Sequence, residues 1–476
     1  MRLFKSILFL SLLCLLILSN VIVGQNDSKK WYFGNQAGLD FMTVPPTILT
    51  NGAMTNLEGC ASIADQVTGN LLFYTNGITV WDQTHNTMAN GTGLQGNGSS
   101  TQSGVIVKQP GNSNIYFIFT VDDAAGIDGL RYSTVDMSLS SGNGSVTAKN
   151  TLVYTPSSER VTAVKHCNGV DIWVISHDYL STNFRANLVS STGVNLTGVL
   201  SSIGTNHSSI STVAGYLKVS PNGKRIGIGM YNNVGSSFEV YDFDNTTGVV
   251  SNSLSLYGGA GAYGCEFSPD GTKFYGAKWS NGFDIYQWDL CAGTGTAIAA
   301  SLYSVTPNNI GTKGALQLGP DGKIYVSVVG SQSLSVINNP NVAGVGCNYV
   351  VGGQSISPKT CSYGLPNFIT SGLKPPPLPF THTVSNSYGC QTASYTAPPA
   401  ITNYSLLGCS SLGYSLTGML WNFGNPASGS ANTSTLTNPA HAFTSLGTYT
   451  TTLVMYYSCG GGTDTIKQVV VINQPC

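Results

Sequence analysis

The sequence predicts an all-β protein in which a β-propeller of seven blades, or alternatively six, precedes an immunoglobulin-like β-sandwich. The main observation is a turn-and-strand unit that recurs at residues 219–224, 267–272 and 318–323. Its turn glycines are 48 and 51 residues apart, and an apolar run follows each copy. A period of this length, made of strands and turns, is typical of a radial repeat in which one unit forms one four-stranded blade.

The same turn recurs upstream with less fidelity. Gly69, Gly111 and Gly169 each separate two β-rich runs, so the turn glycines fall at intervals of 42 to 58 residues. A tight turn of this kind between strands is a hairpin signal. Six such turns predict at least six blades, and residues 31–34 and 363–369 are expected to build or close a seventh. Closing the ring removes free sheet edges.

Aspartates recur at two places in this repeat. Asp82, Asp242 and Asp289 follow an aromatic residue at a strand end and are expected to accept hydrogen bonds from blade turns. Asp270 and Asp321 precede turn glycines, where tight-turn geometry explains them without a further role.

Composition limits the classes of partner. Charged residues make up 9% of the chain and the net charge is −1, so there is no electrostatic case for nucleic acid or for an anionic membrane surface. Gly, Ser, Thr and Asn must supply the polar surface. Abundant Val, Ile, Leu and aromatic residues favour β-sheets over disorder.

The first residues predict export. Arg2 and Lys5 precede an apolar run at 7–18, and small Gly24 follows. This pattern indicates a signal peptide at 1–24. No later apolar stretch reaches the roughly 20 residues of a membrane span. The mature chain is therefore expected to be exported, to the cell surface, the medium or the periplasm.

The chain has 11 cysteines, and removing Cys14 with the signal peptide leaves ten. An even number in an exported protein favours disulfides. Proximity in sequence gives three candidate pairs: Cys347–Cys361, Cys390–Cys409 and Cys459–Cys476. No zinc site is predicted, since no Cys/His cluster has ligand spacing.

The repeat ends near residue 369. The propeller is assigned to 25–370, and the Pro-rich stretch 371–379 is read as an extended linker. The β-rich remainder, 380–476, has the size of an immunoglobulin-like sandwich. Strands are expected there at 411–416, 420–423, 448–457 and 465–472.

Three segments of this last domain carry a resemblance. Trp-Asn-Phe-Gly-Asn at 421–425, Asn-Pro-Ala-His-Ala-Phe at 438–443 and Gly-Thr-Tyr at 447–449 resemble a PKD (polycystic kidney disease) domain. The family usually has acids where this chain has Asn422 and Asn425, so calcium binding there is not expected. His441 matches the family's histidine, for which the resemblance implies a buried, hydrogen-bonded role.

The propeller region also carries a resemblance. Residues 31–41, 57–61 and 76–81 are similar to large surface proteins of the Bacteroidetes, in which a WD40/YVTN-like propeller precedes PKD modules. The resemblance implies adhesion or a role in a cell-surface assembly. Such proteins commonly end in a sorting domain for type IX secretion, and this chain ends without one. It is therefore expected to be periplasmic, to reach the surface otherwise, or to be a module of a longer chain.

No catalytic, cofactor-binding or metal-binding residue is predicted. The sequence has no Gly-x-Ser-x-Gly elbow, His-Glu-x-x-His helix or phosphate loop. His166–Cys167 and His177–Asp178 are adjacent pairs, and adjacent strand residues point to opposite faces, which favours structural roles.

Two other clusters have a structural and a functional interpretation. Asp122, Asp123 and Asp128 are more simply a solvated loop than a calcium site. Trp173, Tyr179 and Trp279 are expected to fill blade interfaces, the alternative being an aromatic platform for a sugar.

The favoured function is an exported, non-enzymatic binding or adhesion protein with a protein or polysaccharide partner. Its ligand is expected to meet loops at one end of the propeller, with the second domain as spacer or second contact surface. One alternative is a secreted polysaccharide-degrading enzyme, which requires two facing carboxylates at the propeller mouth. Another is a structural module of a larger type IX-secreted surface protein.

Overall fold

The computed structural model describes most of the chain outside its first 25 residues. The described residues are 26–231, 237–258, 261–279, 284–305, 311–369, 371, 373, 380–387, 390–398, 416–457 and 463–473. The predicted signal peptide and most of the predicted linker lie outside them. The regular secondary structure of the described part consists almost entirely of strands, which confirms the all-β prediction.

Seven sheets follow one another along the propeller region. The first has three strands, β1 (Lys30–Phe33), β2 (Ala37–Asp40) and β3 (Thr47–Leu49). The second comprises β4 (Ala61–Ala64), β5 (Leu71–Thr75), β6 (Thr79–Asp82) and β7 (Thr87–Thr92). The third comprises β8 (Gly104–Lys108), β9 (Ile115–Val121), β10 (Leu130–Asp136) and β11 (Ser145–Tyr154), and touches the second through one β7–β11 pairing.

The remaining four sheets repeat this antiparallel order. The fourth comprises β12 (Ser157–Lys165), β13 (Ile172–Asp178), β14 (Asn183–Ser190), β15 (Gly193–Val194) and β16 (Val199–Ser202). The fifth comprises β17 (Leu217–Val219), β18 (Arg225–Met230), β19 (Ser237–Asp244) and β20 (Val249–Gly258). The sixth comprises β21 (Ala262–Phe267), β22 (Lys273–Lys278), β23 (Ile285–Asp289) and β24 (Tyr303–Ser304). The seventh comprises β25 (Lys313–Leu318), β26 (Ile324–Val328), β27 (Ser333–Ile337) and β28 (Tyr349–Ser355).

The first strands of the second to seventh sheets contact one another in order, β4 with β8, β8 with β12, β12 with β17, β17 with β21 and β21 with β25. These strands form the centre of the ring. We call the face where they begin the upper face and the face where they end the lower face.

Helices are few and short. The short helix α1 (Gly295–Ala300) lies between β23 and β24. It follows Thr294, whose side chain accepts a hydrogen bond from the Ala297 N–H. Single turns of 3₁₀ helix lie at Ser140–Gly142, Ile210–Val213, Gly344–Cys347 and Pro426–Asn432. Among the described residues, none of the helices is long and apolar enough to span a membrane.

All six predicted turn glycines join a first strand to a second strand at the lower face, and their φ angles lie between +70° and +79°. Glycine adopts this left-handed conformation without the clash that a Cβ would cause. In the three clearest copies, the glycine N–H donates to the carbonyl three residues earlier, at Ser220, Ser268 and Gly319. The side chains of Asn222, Asp270 and Asp321 accept from the N–H two residues further on. Turn chemistry thus accounts for these residues, as predicted.

The ring closes through residues 360–369, which lie between the seventh and second sheets. The Ala315 N–H donates to the Tyr363 carbonyl, and the Tyr363 N–H donates to the Leu57 carbonyl. Further along, the Asn367 N–H donates to the Cys60 carbonyl at 2.9 Å. This segment takes the position of the central strand, which the three-stranded first sheet lacks. The structure therefore has seven blades.

Aromatic packing reinforces this closure. Trp31 of β1 is fully buried, and its ring centroid lies 5.5 Å from that of Tyr325 in the seventh sheet. Phe41 and Phe368 pack on the same indole at 4.8 and 5.7 Å. The two ends of the propeller region therefore share one apolar core.

The C-terminal domain is a β-sandwich, as predicted. One sheet comprises β29 (Thr381–Ser387), β30 (Cys390–Thr396) and β33 (Ala440–Ala442), and the other comprises β31 (Leu416–Asn422), β32 (Thr433–Ser434), β34 (Gly447–Tyr457) and β35 (Thr463–Ile472). The strands predicted at 448–457 and 465–472 are confirmed, and 420–423 is largely the second half of β31. All but the last residue of the strand predicted at 411–416 lies outside the described residues.

Trp421 centres the sandwich core, with its indole N–H donating to the Leu436 carbonyl. His441 is 4% exposed, stacks on Phe423 with centroids 4.4 Å apart, and lies 3.2 Å from the Asn425 amide nitrogen. The buried, hydrogen-bonded role expected for His441 is confirmed.

We expect the buried amide of Asn367 to be essential to ring closure. Its Nδ2 donates to the Val161 carbonyl at 2.7 Å and the Gly104 carbonyl at 3.3 Å. Asn367→Ala leaves these carbonyls unpaired and should lower the free energy of unfolding by about 1–3 kcal/mol. Asn35→Ala removes an exposed amide bond to Thr360 across the same closure and should cost under about 0.5 kcal/mol. Denaturant unfolding of both variants checks this, and an equal or larger loss for Asn35→Ala contradicts it.

Candidate functional site

Hydrogen bonds between segments fix much of the centre of the upper face. Most of them join a segment that precedes or begins a first strand to the next segment around the ring, and that of Gly215 joins the fifth sheet to the third. The Gly59 N–H donates to the Ser100 carbonyl, and the Gln102 N–H donates to the Glu159 carbonyl. The Gly215 N–H donates to Thr101 Oγ1, and the Tyr216 N–H donates to the Tyr263 carbonyl. At the closure, the Ala315 N–H donates to the Tyr363 carbonyl and the Tyr363 N–H donates to the Leu57 carbonyl. We call this centre the upper mouth. Its side chains project from backbone held by tertiary contacts.

Three carboxyl groups interact electrostatically at the upper mouth, those of Glu58, Asp123 and Glu159. Burial raises the pKa of Glu58 to about 8, and repulsion from Glu159 adds to this effect. Burial is also the main cause of the raised pKa of Asp123, followed by the charge of Asp122. At neutral pH the Glu58 carboxyl therefore keeps its proton and can donate a hydrogen bond.

Glu159 anchors the loop that carries Asp123. Its Oε2 accepts from the Thr101 N–H and hydroxyl at 3.1 and 2.8 Å, and its Oε1 accepts from the Ala124 N–H at 3.0 Å. Ala124 and Ala125 have φ angles of +48° and +56°, a conformation that alanine rarely adopts. Burial raises the pKa of Glu159, and these bonds oppose the rise. The carboxylate therefore supports a strained loop at the mouth.

Five aromatic rings adjoin these carboxyl groups. The Trp279 centroid lies 4.7 Å from Tyr231, 5.8 Å from Tyr263 and 5.6 Å from Tyr363. Tyr216 packs edge-on against Tyr263 at 5.6 Å. Tyr231, Trp279 and Tyr363 are half-buried, whereas Tyr216 and Tyr263 are buried. We call these five residues the aromatic cluster.

The hydroxyl groups of the two buried tyrosines have incomplete hydrogen bonds. Neither makes a hydrogen bond of normal geometry, but that of Tyr216 lies near the backbone of Leu365 and that of Tyr263 lies near Glu58 and Thr101. Burial raises both phenol pKa values well above their usual range, so both remain donors. Ser100 Oγ and Asn56 Oδ1 nearby are also buried and unpartnered. Such atoms are where a hydroxylated ligand or an ordered water is accommodated.

A buried cationic layer lies beside Glu159. The Arg160 guanidinium donates to the carbonyls of Ala214 and Gly229, and its Nη1 lies 3.3 Å from His207 Nδ1. His207 stacks on His177 with centroids 3.6 Å apart. Burial lowers the pKa of His177 to about 3, so this ring is neutral. Backbone carbonyls thus accept the hydrogen bonds of the Arg160 guanidinium, and the carboxyl groups set the character of the mouth.

The acidic loop of Asp122, Asp123 and Asp128 is a hydrogen-bonded loop. Asp122 accepts from the N–H groups of Asp123 and Asp128, and Asp128 pairs with Arg131 at 3.3 Å. Within the part of the chain that the structure describes, no group of three or more His, Cys, Asp or Glu is placed to hold a metal. Hydrogen bonds within the loop and the pair with Arg131 thus account for Asp122 and Asp128.

The histidine pairs have structural roles, as expected. His166 Nε2 lies 3.1 Å from the Thr246 carbonyl, and its Nδ1 accepts from the Asn168 N–H. His177 Nδ1 bonds the carbonyl of Asp178, whose carboxylate instead pairs with Arg185.

The aspartates at the strand ends stabilise turns or neighbouring strands. Asp82 accepts from the N–H groups of Thr84 and Asn86, as predicted, and Asp289 accepts from the Cys291 N–H and from Lys273. Asp242 bonds side chains only, those of Arg225 and Asn252.

The three residues of the alternative aromatic platform lie in separate parts of the structure. Trp173 is buried near the lower face, where its indole N–H donates to the Asn245 carbonyl, so the blade-interface interpretation is correct for it. Tyr179 lies in the turn between β13 and β14, where its N–H donates to the Pro156 carbonyl. Only Trp279 lies at the upper mouth, with four tyrosines that the sequence interpretation did not single out.

The predicted Cys347–Cys361 disulfide is wrong, because both residues are buried free thiols, as are Cys60 and Cys265. Proximity in sequence failed because Cys361 lies in the closing segment and donates to the Val328 carbonyl. The pairs Cys390–Cys409 and Cys459–Cys476 involve side chains outside the described residues.

Two signals in the sequence point to the residues that were missed. Glutamate occurs only four times, and Glu58, Glu159 and Glu266 lie just before or within first strands. Gly215-Tyr216, Tyr263-Gly264 and Tyr363-Gly364 place a tyrosine beside a glycine at corresponding positions of three repeats. Their convergence depends on ring closure, which spacing alone does not give.

No family model and no curated protein sequence matches the chain. Among solved structures, a putative 6-phosphogluconolactonase from Bacteroides uniformis is 12% identical to this chain, with a TM-score of 0.43. The match covers 69% of this chain and 98% of that protein's chain. The periplasmic gluconolactonase PpgL of Pseudomonas aeruginosa is 12% identical with a TM-score of 0.34, covering 76% and 98%. The dihydro-heme d1 dehydrogenase NirN is 11% identical with a TM-score of 0.40, covering 73% and 76%. Likenesses this distant carry no argument about activity.

Glu58→Gln should stabilise the protein at high pH. The folded-state pKa of about 8 is above the usual 4.5, so the folded state binds more protons than the unfolded state between these values. Stability is thus full below pH 4.5 and is lost as the pH rises through 8. The variant should melt within about a degree of wild type at pH 5 and several degrees higher at pH 9. A melting temperature that falls relative to wild type as pH rises contradicts the assignment. Glu159→Gln, which disturbs three hydrogen bonds, should destabilise at both pH values.

The four buried thiols should be protected in the folded protein. Burial raises the pKa of all four, which suppresses the reactive thiolate. Alkylation with iodoacetamide followed by peptide mass spectrometry should leave Cys60, Cys265, Cys347 and Cys361 unlabelled under native conditions. All four should be labelled in denaturant without reductant. A Cys347–Cys361 bridge in the mapped peptides contradicts the structure.

Proposed function

We propose that the protein is an exported, non-enzymatic binding protein that captures a neutral glycan at the upper mouth. The observation that supports this most is the half-buried aromatic face of Tyr231, Trp279 and Tyr363 beside the protonated carboxyl of Glu58. Aromatic faces pack against the C–H faces of sugar rings, and adjoining polar groups fix their hydroxyls. A protonated Glu58 adds no charge to the mouth, which suits the uncharged hydroxyls of a neutral glycan.

The upper mouth suits binding because its groups are preorganised. Glu58 can donate while it is protonated, and hydrogen bonds of the upper mouth hold the backbone at Gly59, Tyr216 and Tyr263. Groups that are already ordered lose little entropy when a ligand arrives. Adhesion through a repetitive polysaccharide then requires only modest affinity at each site, since multivalency raises the overall strength.

The sandwich serves in this proposal as a PKD-like spacer or second contact surface. The packing of Trp421, Phe423 and His441 is compatible with the PKD resemblance of its sequence. Export and a cell-surface location of the Bacteroidetes type remain part of the proposal. They are supported by the signal-like first residues.

An enzyme that cleaves polysaccharide is the second candidate. It is favoured by one observation, the electrostatic coupling of Glu58 and Glu159 at the mouth. A protonated Glu58 could act as general acid. Against this role, the Glu159 oxygens already accept three hydrogen bonds and its side chain is 6% exposed. Binding without cleavage is therefore the primary proposal.

Trp279→Ala should weaken glycan binding by about tenfold or more, because it removes the central ring of the exposed aromatic face. Isothermal titration of the mature protein with cellohexaose, xylohexaose and laminarihexaose measures this. Trp81→Ala is the matched control, since Trp81 is also half-buried and stacks on Tyr74, far along the second sheet. Its effect should stay within about twofold.

Four results contradict the proposal in distinct ways. Absence of any binding sugar in the panel refutes the ligand class, and equal effects of the two tryptophan substitutions refute the site. Release of shorter sugars, lost in Glu58→Gln, identifies the enzyme instead. Capture of a protein that Trp279→Ala releases retains the site but replaces the glycan.

A further inference from the structure

Two buried histidines lie face to face beside the fourth sheet. His177 is the last residue but one of β13, and His207 lies in the segment 203–216 that joins β16 to β17, which we call the 203–216 connection. Both side chains are fully buried, and their ring centroids are 3.6 Å apart with 19° between the ring planes. Arg160, also fully buried, places its Nη1 atom 3.3 Å from His207 Nδ1. Three groups that can carry positive charge thus share one buried cluster.

Hydrogen bonds fix which ring nitrogen carries the proton in each histidine. A guanidinium only donates, so His207 Nδ1 accepts from Arg160 and the proton of the neutral ring lies on Nε2. A carbonyl only accepts, so His177 Nδ1 donates to the Asp178 carbonyl at 2.8 Å, and its Nε2 carries no proton. A second proton on His207 therefore belongs at Nδ1, directly against Arg160. A second proton on His177 belongs at Nε2, which has no hydrogen-bond partner among the described residues.

Three carboxyl groups lie on the strands around the two rings, and each already has partners. That of Glu159 in β12 accepts three hydrogen bonds at the upper mouth. That of Asp178 in β13 pairs with Arg185 of β14 at 3.0 Å. That of Glu239 in β19 accepts from the Thr205 hydroxyl at 2.6 Å. None of them bonds an imidazole, so a proton added to either ring has no carboxylate to receive its hydrogen bond.

The closed arrangement therefore favours neutral rings. Burial lowers the pKa of His177 to about 3 and that of His207 well below its usual value, and the charge of Arg160 lowers both further. The stability that the pair contributes is full above the unfolded value of 6.5 and is lost as the pH falls from there toward 3. Glu159 acts in the opposite direction, since burial raises its pKa and acid then favours the closed form. The other titratable groups that face Arg160 are buried, have raised pKa values and stay uncharged, namely Tyr241, Tyr263 and Cys265.

The same cluster holds the 203–216 connection on the fourth sheet. The His207 N–H donates to the Ser181 carbonyl at 3.0 Å, in the turn after β13. Arg160 donates to the carbonyl of Ala214, two residues before Tyr216 of the aromatic cluster. Loss of the contacts at His207 therefore frees the segment that positions Tyr216 at the upper mouth.

We propose that the His177–His207 pair is an acid-sensitive switch, which releases the 203–216 connection from the fourth sheet and so opens one side of the upper mouth. A charged imidazole beside Arg160 needs water, which reaches it when the connection moves away. Return to neutral pH restores the uncharged rings and the closed form. The opening does not depend on what the mouth binds, so it stands even where the glycan proposal fails.

Hydrogen–deuterium exchange of the unliganded mature protein at pH 7 and pH 5 tests the switch, with protection expressed relative to the unstructured exchange rate at each pH. Peptides that cover residues 180–182 and 203–216 should lose at least about tenfold in protection at pH 5. Each pH unit below the unfolded pKa favours the open form by up to about tenfold per histidine. Peptides that cover residues 360–369 and 447–457 should change by less than about twofold.

Two substitutions separate the histidines from other effects of acid. His207→Gln supplies an amide oxygen that accepts from Arg160 and does not titrate, and His177→Phe keeps an aromatic face. With both substitutions, the loss of protection at pH 5 should fall below about twofold. His166→Gln is the matched control, because His166 is half-buried at the lower face beside the Thr246 carbonyl, and it should retain the full loss.

Equal protection of the 203–216 connection at both pH values in the wild type overturns the proposal. So does a loss that persists in the double variant, which assigns it to other groups, or a loss of equal size in every peptide, which is general acid unfolding. Melting curves at pH 7 show whether the double variant folds. If it does not, His207→Gln alone decides, since an undiminished loss in that variant also overturns the proposal.

Discussion

Closure of the ring by residues 360–369 is the interaction on which the rest of the structure depends. The segment supplies the central place of the first blade and bonds the seventh sheet on one side and the second sheet on the other. Its contacts join residues more than 300 positions apart, as in the Ser362 hydroxyl bond to the Asn56 carbonyl across 306 residues. Forming such contacts costs loop-closure entropy, which the shared core around Trp31 offsets. An open ring would also leave two sheet edges free to aggregate.

The same closure assembles the upper mouth. Glu58 precedes the second sheet, Tyr263 begins the sixth and Tyr363 belongs to the closing segment, so no local element brings them together. Only the completed ring places the aromatic cluster beside the carboxyl groups. A separate cavity at the lower ends of the first strands, lined by Asp27, Lys108 and Lys165, instead depends on three consecutive sheets.

Sequence reasoning predicts the blades well because their turns are local. All six glycines that it selected have nearly the same positive φ, and the asparagine or aspartate before three of them makes the expected turn bond. Prediction from sequence fails for contacts that the tertiary structure decides. Cys347 and Cys361 are close in sequence yet unpaired, since one lies in a 3₁₀ turn and the other in the closing segment. The mouth is not predicted for the same reason, and of its residues the sequence analysis singles out Trp279 and Asp123 alone. The scarcity of glutamate and the repeated Tyr–Gly pairs indicate its residues but not their convergence.

Hydrogen–deuterium exchange on the mature protein, with and without the tightest-binding neutral hexasaccharide, tests the central claim most directly. Binding at the upper mouth should slow exchange in peptides that cover residues 56–60, 100–103, 214–217, 262–265 and 362–365, because their backbone forms the hydrogen bonds between segments there. Peptides at the lower-face turns and in the sandwich should exchange as before. Slowed exchange confined to the sandwich or to the lower face would contradict the account.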